Sequence, residues 1–195
     1  MGLRTSAAAL AASIAVAASA SAAEPEPGAW NVSPYAGIYL PDRDVVDDAA
    51  TYGIRIGRPF AEHFVASASF GFTNLDGRSS HGGVTKDANL DQTIVDAEIG
   101  YVVDPGRRIT LATAVGVGWA FLDGKTKISD VEGPFRRSKE DDGLTASASI
   151  GPLVKLTDRI SLRLMSRWRW FEARKDDEID QEVFAGIVFG LGGSR

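Results

Sequence analysis

A chain of 195 residues with 21 Lys and Arg against 26 Asp and Glu carries a formal charge of −5, which argues against a nucleic-acid partner. It contains no Cys, so no disulfide framework holds the fold. After the first two dozen residues no stretch approaches the roughly 20 consecutive apolar residues of a membrane-spanning helix.

Residues 1–23 read as a signal peptide. Arg4 supplies the positive charge, Ala7 to Ala18 form the apolar stretch, and Ala20-Ser21-Ala22 has the small-x-small form of a cleavage site. Cleavage after Ala22 and after Ala23 fit equally well. A membrane-anchor helix would need a longer and more apolar run. The remaining segment, 24–195, is long enough for one domain.

From there the pattern has period two, the spacing of a strand with one apolar face. The predicted strands are Val32–Leu40, Ala49–Pro59, His63–Asn74, Asp91–Val103, Ile109–Leu122, Gly143–Leu156, Arg159–Phe171 and Gln181–Leu191. The fifth shows the alternation most plainly. Ile109, Leu111, Thr113, Val115, Val117, Trp119 and Phe121 share one face, and Thr110, Ala112, Ala114, Gly116, Gly118 and Ala120 share the other. The first strand is ambiguous. Val32, Pro34, Ala36, Ile38 and Leu40 face one way and Tyr35 and Tyr39 the other, and either set can meet lipid. In the sixth, Pro152 falls on the apolar face, where its missing N–H predicts a bulge or distortion.

The connections alternate in length. Phe60–Glu62, Asp104–Arg108 and Thr157–Asp158 are tight, whereas Pro41–Asp48, Leu75–Leu90, Asp123–Asp142 and Glu172–Asp180 are long and polar. Short periplasmic turns and long outer loops are the order of an outer-membrane barrel with an even strand count. In that frame the outward aromatics Phe70, Phe72, Trp119, Phe121, Trp168 and Trp170 gather near the outer rim. Phe60, Phe64, Tyr101 and Phe189 gather near the other. Two aromatic belts are expected where rings meet the two headgroup layers. The predicted fold is therefore all-β, an eight-stranded antiparallel transmembrane up-and-down barrel.

The entry Trp30-Asn31-Val32-Ser33-Pro34-Tyr35-Ala36-Gly37 and the final strand Val183-Phe184-Ala185-Gly186-Ile187-Val188-Phe189-Gly190-Leu191 resemble the OmpA-like outer-membrane β-barrel superfamily. The resemblance covers nearly all of 24–195. It implies residence in the outer membrane of a Gram-negative bacterium, contact with outer-membrane lipids and lipopolysaccharide, insertion by the barrel-assembly machinery, a monomer, no cofactor, and a structural or small-porin role. Phe189 is followed by Leu-Gly-Gly-Ser-Arg, whereas many such barrels end on an aromatic. A cell-wall-binding domain after the barrel is not expected, and neither is a tethering role.

If lipid takes the apolar face, the inward positions include Arg55, Asp96, Glu98, Lys155, Arg163, Arg167, Arg169 and Glu182. Depth counted from the loop ends puts Arg55, Asp96, Glu98 and Arg167 near mid-height. Arg163 and Lys155 fall toward the short turns, and Arg169 and Glu182 toward the long loops. Eight strands leave an interior that side chains fill, and enclosed charges must be paired or hydrated. The expectation is an ion-pair plug, with a charged gate as the alternative. Five cations against three anions would make a conducting state favour anions.

Other chemistries are weaker. Asp42, Asp44, Asp47 and Asp48, and Asp176, Asp177, Glu178 and Asp180, crowd two loops without an EF-hand order. They read as solvated charge and not as a divalent-metal site. Arg136, Arg137 and Lys139 can meet lipopolysaccharide phosphates, and the loops are available for adhesion or host contact. An outer-membrane enzyme would need an oriented base. His63 sits at a tight turn, and Ser79-Ser80-His81-Gly82-Gly83 specifies no acid to orient its imidazole. A soluble carrier would match Gly28-Ala29-Trp30 to the lipocalin Gly-x-Trp, but lipocalins carry the apolar face inside. No enzymatic activity is expected.

Overall fold

The computed structural model describes residues 29–42, 47–81, 84–130, 133–138, 142–172 and 179–191. These form strands and turns with no helix. The strands are β1 Trp30–Leu40, β2 Ala49–Pro59, β3 Phe64–His81, β4 Val84–Val102, β5 Ile109–Asp130, β6 Gly133–Ser138, β7 Gly143–Lys155, β8 Ile160–Phe171 and β9 Ile179–Leu191. Every pairing is antiparallel, and the order β4-β3-β2-β1-β9-β8-β7-β5 closes through β4 against β5. Eight strands make the wall. The first and last meet from Trp30 opposite Leu191 to Leu40 opposite Gln181, so no ladder edge is left in the ring.

Two predicted loops are strands instead. Leu75–Leu90 continues the β3–β4 ladder out to His81 opposite Val84. Much of Asp123–Asp142 continues β5 to Asp130, with β6 folded back on it from Lys125 opposite Ser138. The reason is physical. Above a bilayer a hairpin has water on both faces, so its side chains lose the apolar alternation while its backbone keeps pairing. At the other end the turns are short, at 60–63, 103–108 and 156–159, each one or two residues longer than predicted. Asp104 adopts a left-handed φ of 46° before Pro105, and the Arg107 N–H donates to its carbonyl at 3.0 Å.

Pro152 interrupts the β7–β8 ladder between Ile150 opposite Ser166 and Leu153 opposite Arg163. Both sides advance by the same number of residues, so the distortion is a gap and not a bulge. Pro34 leaves a matching gap between β1 and β9.

Tyr35 and Tyr39 of β1 point inward, at 7% and 1% exposure, and Ile38 points out. This settles the first strand. The paired glycines Gly53 and Gly71 make the room. A side chain on either would lie 2.6 Å from the Tyr35 ring or hydroxyl. Outward, large apolar side chains run along every wall strand, among them Ile54, Ile99, Val115, Val117, Ile150 and Ile187. A water-soluble surface does not carry so continuous an apolar band.

The outward aromatics fall at strand ends. Phe60, Phe64, Tyr101 and His63 contact one another at the short-turn end, with ring separations of 5.2–6.0 Å. Trp30 joins that end, under the Arg58 guanidinium at 5.6 Å. Phe189 lies opposite Val32 and Ile160. Phe70, Trp119, Phe121, Trp168 and Trp170 are exposed on the outer half, and Phe72 packs on Tyr52 at 5.3 Å. Trp30 and Tyr52 extend the belts beyond the residues predicted for them.

Candidate functional site in the barrel lumen

The lumen draws its charges from five strands, Lys155 of β7 among them. In β8, Leu162-Arg163-Leu164-Met165-Ser166-Arg167-Trp168-Arg169 puts three arginines and Met165 on the inward parity, and Leu162, Leu164 and Trp168 on the other. Asp96 and Glu98 stand on β4, Asp180 and Glu182 on β9, and Arg55 on β2. The strand beside β4 is bare at the matching positions. Asp96 pairs with Gly118 and Glu98 with Gly116 of β5. A methyl group on Gly116 would sit 2.7 Å from Glu98 Cγ, so the glycines of β5 give the carboxylates their room.

The resulting network spans the barrel. Arg167 donates to Glu98 at 2.8 Å and to Glu182 at 3.1 Å, at 1% exposure. Arg169 grips Asp96 with two nitrogens at 2.7 and 2.9 Å, the bidentate geometry in which Arg–carboxylate pairs are strongest. Arg55 forms an ion pair with the second oxygen of Glu98 and donates to Ser67 at 3.0 and 2.9 Å. Hydroxyls occupy remaining lone pairs. Thr51 donates to Glu182 at 3.1 Å, and Ser69 to Asp96 at 3.4 Å. The chain of contacts runs from β2 through β4 to β8 and β9.

Apolar clusters flank it. Tyr35, Val102, Ala112, Met165 and Phe184 pack toward the short-turn end, with Val65 and Leu153 against them. Tyr39, Ala49 and Leu75 pack toward the long hairpins. Phe184 joins the two kinds of packing, since its ring lies 4.8 Å below the Arg167 guanidinium and 4.9 Å from Tyr35. Burying ions this way costs several kcal/mol each, and close hydrogen-bonded partners offset the penalty.

Of the eight predicted lumen residues, six share the network: Arg55, Asp96, Glu98, Arg167, Arg169 and Glu182. Lys155 and Arg163 lie outside it, lining a cavity at the short-turn end. Asp180 is a correction. Its sequence context places it in a solvated loop, yet it is fully buried, accepts the Tyr39 hydroxyl and receives the Asp42 N–H at 3.0 Å. It shares inward parity with Glu182, a signal that the surrounding acidic run masks. Counting Asp180, the enclosed carboxylates among the described residues number four and not three. His63 Nδ1 donates to the Val102 carbonyl at 3.0 Å. His81 ends β3, and its side chain lies outside the described residues, as do Asp44, Lys139, Asp176, Asp177 and Glu178 and the side chains of Arg136 and Arg137.

An outer membrane protein beta-barrel domain model matches residues 8–189. The chain belongs to that family. Among solved structures, outer-membrane barrels superpose on it. OprG from Pseudomonas aeruginosa aligns at a TM-score of 0.61 and 11% identity, covering 88% of this chain and 100% of that one. Neisserial surface protein A aligns at 0.57 and 10%, covering 83% and 97%. Ail, the attachment invasion locus protein of Yersinia pestis, aligns at 0.56 and 14%, covering 84% and 99%. At these identities the likeness is one of fold. No curated protein matches in sequence. As a member of the outer-membrane barrel family, the chain places its apolar outer band in lipid, which turns the enclosed ions into the protein's own interior.

Proposed function

We propose that this outer-membrane barrel is a structural wall protein whose lumen is closed by its ion network. One observation carries the reading: Arg55, Glu98, Arg167 and Glu182 form a continuous bridge across the interior, with side chains exposed by 1–6%. Small barrels of this strand number hold just enough space for side chains, and here charged side chains take it. The belts of Phe60, Phe64, Tyr101 and Phe189, and of Phe70, Phe72, Trp119, Phe121, Trp168 and Trp170, set its height in the bilayer. In this reading residues 1–23 direct export in a Gram-negative cell, the barrel-assembly machinery inserts the chain, and it stands as a monomer among lipids and lipopolysaccharide. His63, bonded to a backbone carbonyl and stacked on Tyr101, serves the turn and no reaction.

The test is single-channel recording of the refolded mature chain in planar bilayers. A closed lumen gives no steady conductance at low voltage. Sustained open events in the unmodified protein overturn the plug and favour a gate.

A second reading, contact with other surfaces, rests on the β3–β4 hairpin, which continues as paired strands well past Phe72. Cells displaying a chain shortened by residues 78–87 should lose any adhesion that the full chain confers, while the lumen stays closed. Adhesion unaffected by the shortening removes this reading.

A further inference from the structure

The enclosed charges do not all find carboxylates. Arg55, Arg167 and Arg169 each contact Asp96, Glu98 or Glu182, and Asp180 takes the Tyr39 hydroxyl. Arg163 contacts none of these carboxylates. It is 8% exposed, its Nε, like those of Arg167 and Arg169, has no hydrogen-bond partner, and unlike theirs its guanidinium has no carboxylate among the described residues within ion-pair distance. A buried guanidinium left in this state is costly. Arg163 also lines a cavity of about 150 Å³ at the short-turn end.

The walls of that cavity define what fits beside the guanidinium. Val65, Val102, Leu153 and Val188 are apolar, and Lys155 adds a second positive charge. Val65 and Leu153 also pack against the cluster beneath the ion network, so the cavity has an apolar floor. The rim carries Glu62, Asp158 and Arg159. Glu62 is 84% exposed and stands in solvent. An inorganic anion would satisfy Arg163 and leave the walls unused. An apolar cation would meet Arg163 and Lys155 at the wrong sign.

We propose that the short-turn mouth of the barrel is a binding site for a short apolar monocarboxylate, its carboxylate on Arg163 and its hydrocarbon against Val65, Val102 and Leu153. The fork of Arg163 suits two carboxylate oxygens. This site lies on the periplasmic side in the reading proposed above, and it needs no conducting lumen. Its chemistry has two sources: a free carboxylate, or the chain's own Glu24 and Glu26, which precede β1 in sequence.

Isovalerate is the probe. The refolded mature chain is titrated in micelles while the Arg163 Nε–H resonance is followed by NMR, with the heat-modifiable gel shift confirming the fold of each variant. Saturable movement of that resonance is expected. Arg163→Lys should weaken binding about tenfold, because it keeps charge and loses the fork. Arg163→Gln should abolish saturation of the neighbouring Leu153 and Val102 methyl shifts. The double variant Glu24→Gln, Glu26→Gln separates the sources. Binding in the unmodified chain assigns the site to a free carboxylate, and binding only in the double variant assigns it to the chain's own. Linear, unsaturable shifts in both, or methyl saturation that survives Arg163→Gln, overturn the proposal.

Discussion

Two arginines on one strand, four residues apart, live in opposite circumstances. Arg167 is held between Glu98 and Glu182 with an aromatic ring beneath it. Arg163 faces a cavity, with no carboxylate among the described residues within ion-pair distance of it. Burial is alike for both, so the difference isolates the partners. A buried charge stabilises a barrel only when its surroundings complete it. Where they do not, the charge is retained at a cost, and that marks it as a candidate for binding.

The comparison breaks most sharply at the network. Glu98→Ala removes the carboxylate shared by Arg55 and Arg167, and a loss of about 3–5 kcal/mol is expected. Urea unfolding of the refolded barrel measures the loss, and opening of the lumen would appear as conductance. An unchanged unfolding midpoint together with an unchanged closed state contradicts the network's role. Arg167→Met should cost about as much, because Glu98 and Glu182 would lose a shared partner.

A smaller effect is expected one layer down. Gly53→Val places atoms against the Phe70 carbonyl and where the Tyr35 ring lies, and overpacking of this kind costs about 1–3 kcal/mol or more. The same urea titration reads it, and a neutral result means that both Tyr35 and the β2–β3 backbone give way freely. Arg163→Met is expected to be neutral or stabilising by about 1 kcal/mol, opposite in sign to Arg167→Met. Equal destabilisation by the two would erase the distinction between the regions. Pro152→Ala should have the least effect. It restores a donor beside the ladder gap and gains at most about 1 kcal/mol if that donor finds a carbonyl.

Much of the barrel is legible in the order of its residues. Parity sorts Arg55, Asp96, Glu98, Arg167, Arg169 and Glu182 to the inside and Trp119, Trp168 and Trp170 to the outside, because a strand presents alternate residues to opposite faces. The tight turns are legible because Asp-Pro-Gly and its like dictate backbone geometry locally. The hairpin extensions, β6 and the burial of Asp180 are not. In each, the deciding partner is a neighbouring strand, and polar residues read as loop until that neighbour is known.

Composition and period two thus determine by themselves that the chain closes into a barrel with its charges enclosed. Tertiary structure alone decides which charge meets which. Arg169 finds Asp96 across 73 positions of sequence, Tyr39 finds Asp180, and Arg163 finds neither. The reason is the stagger of strands around a closed ring. Parity says which side of the wall a residue faces, whereas stagger sets its height and angle inside, and only strand pairing specifies that.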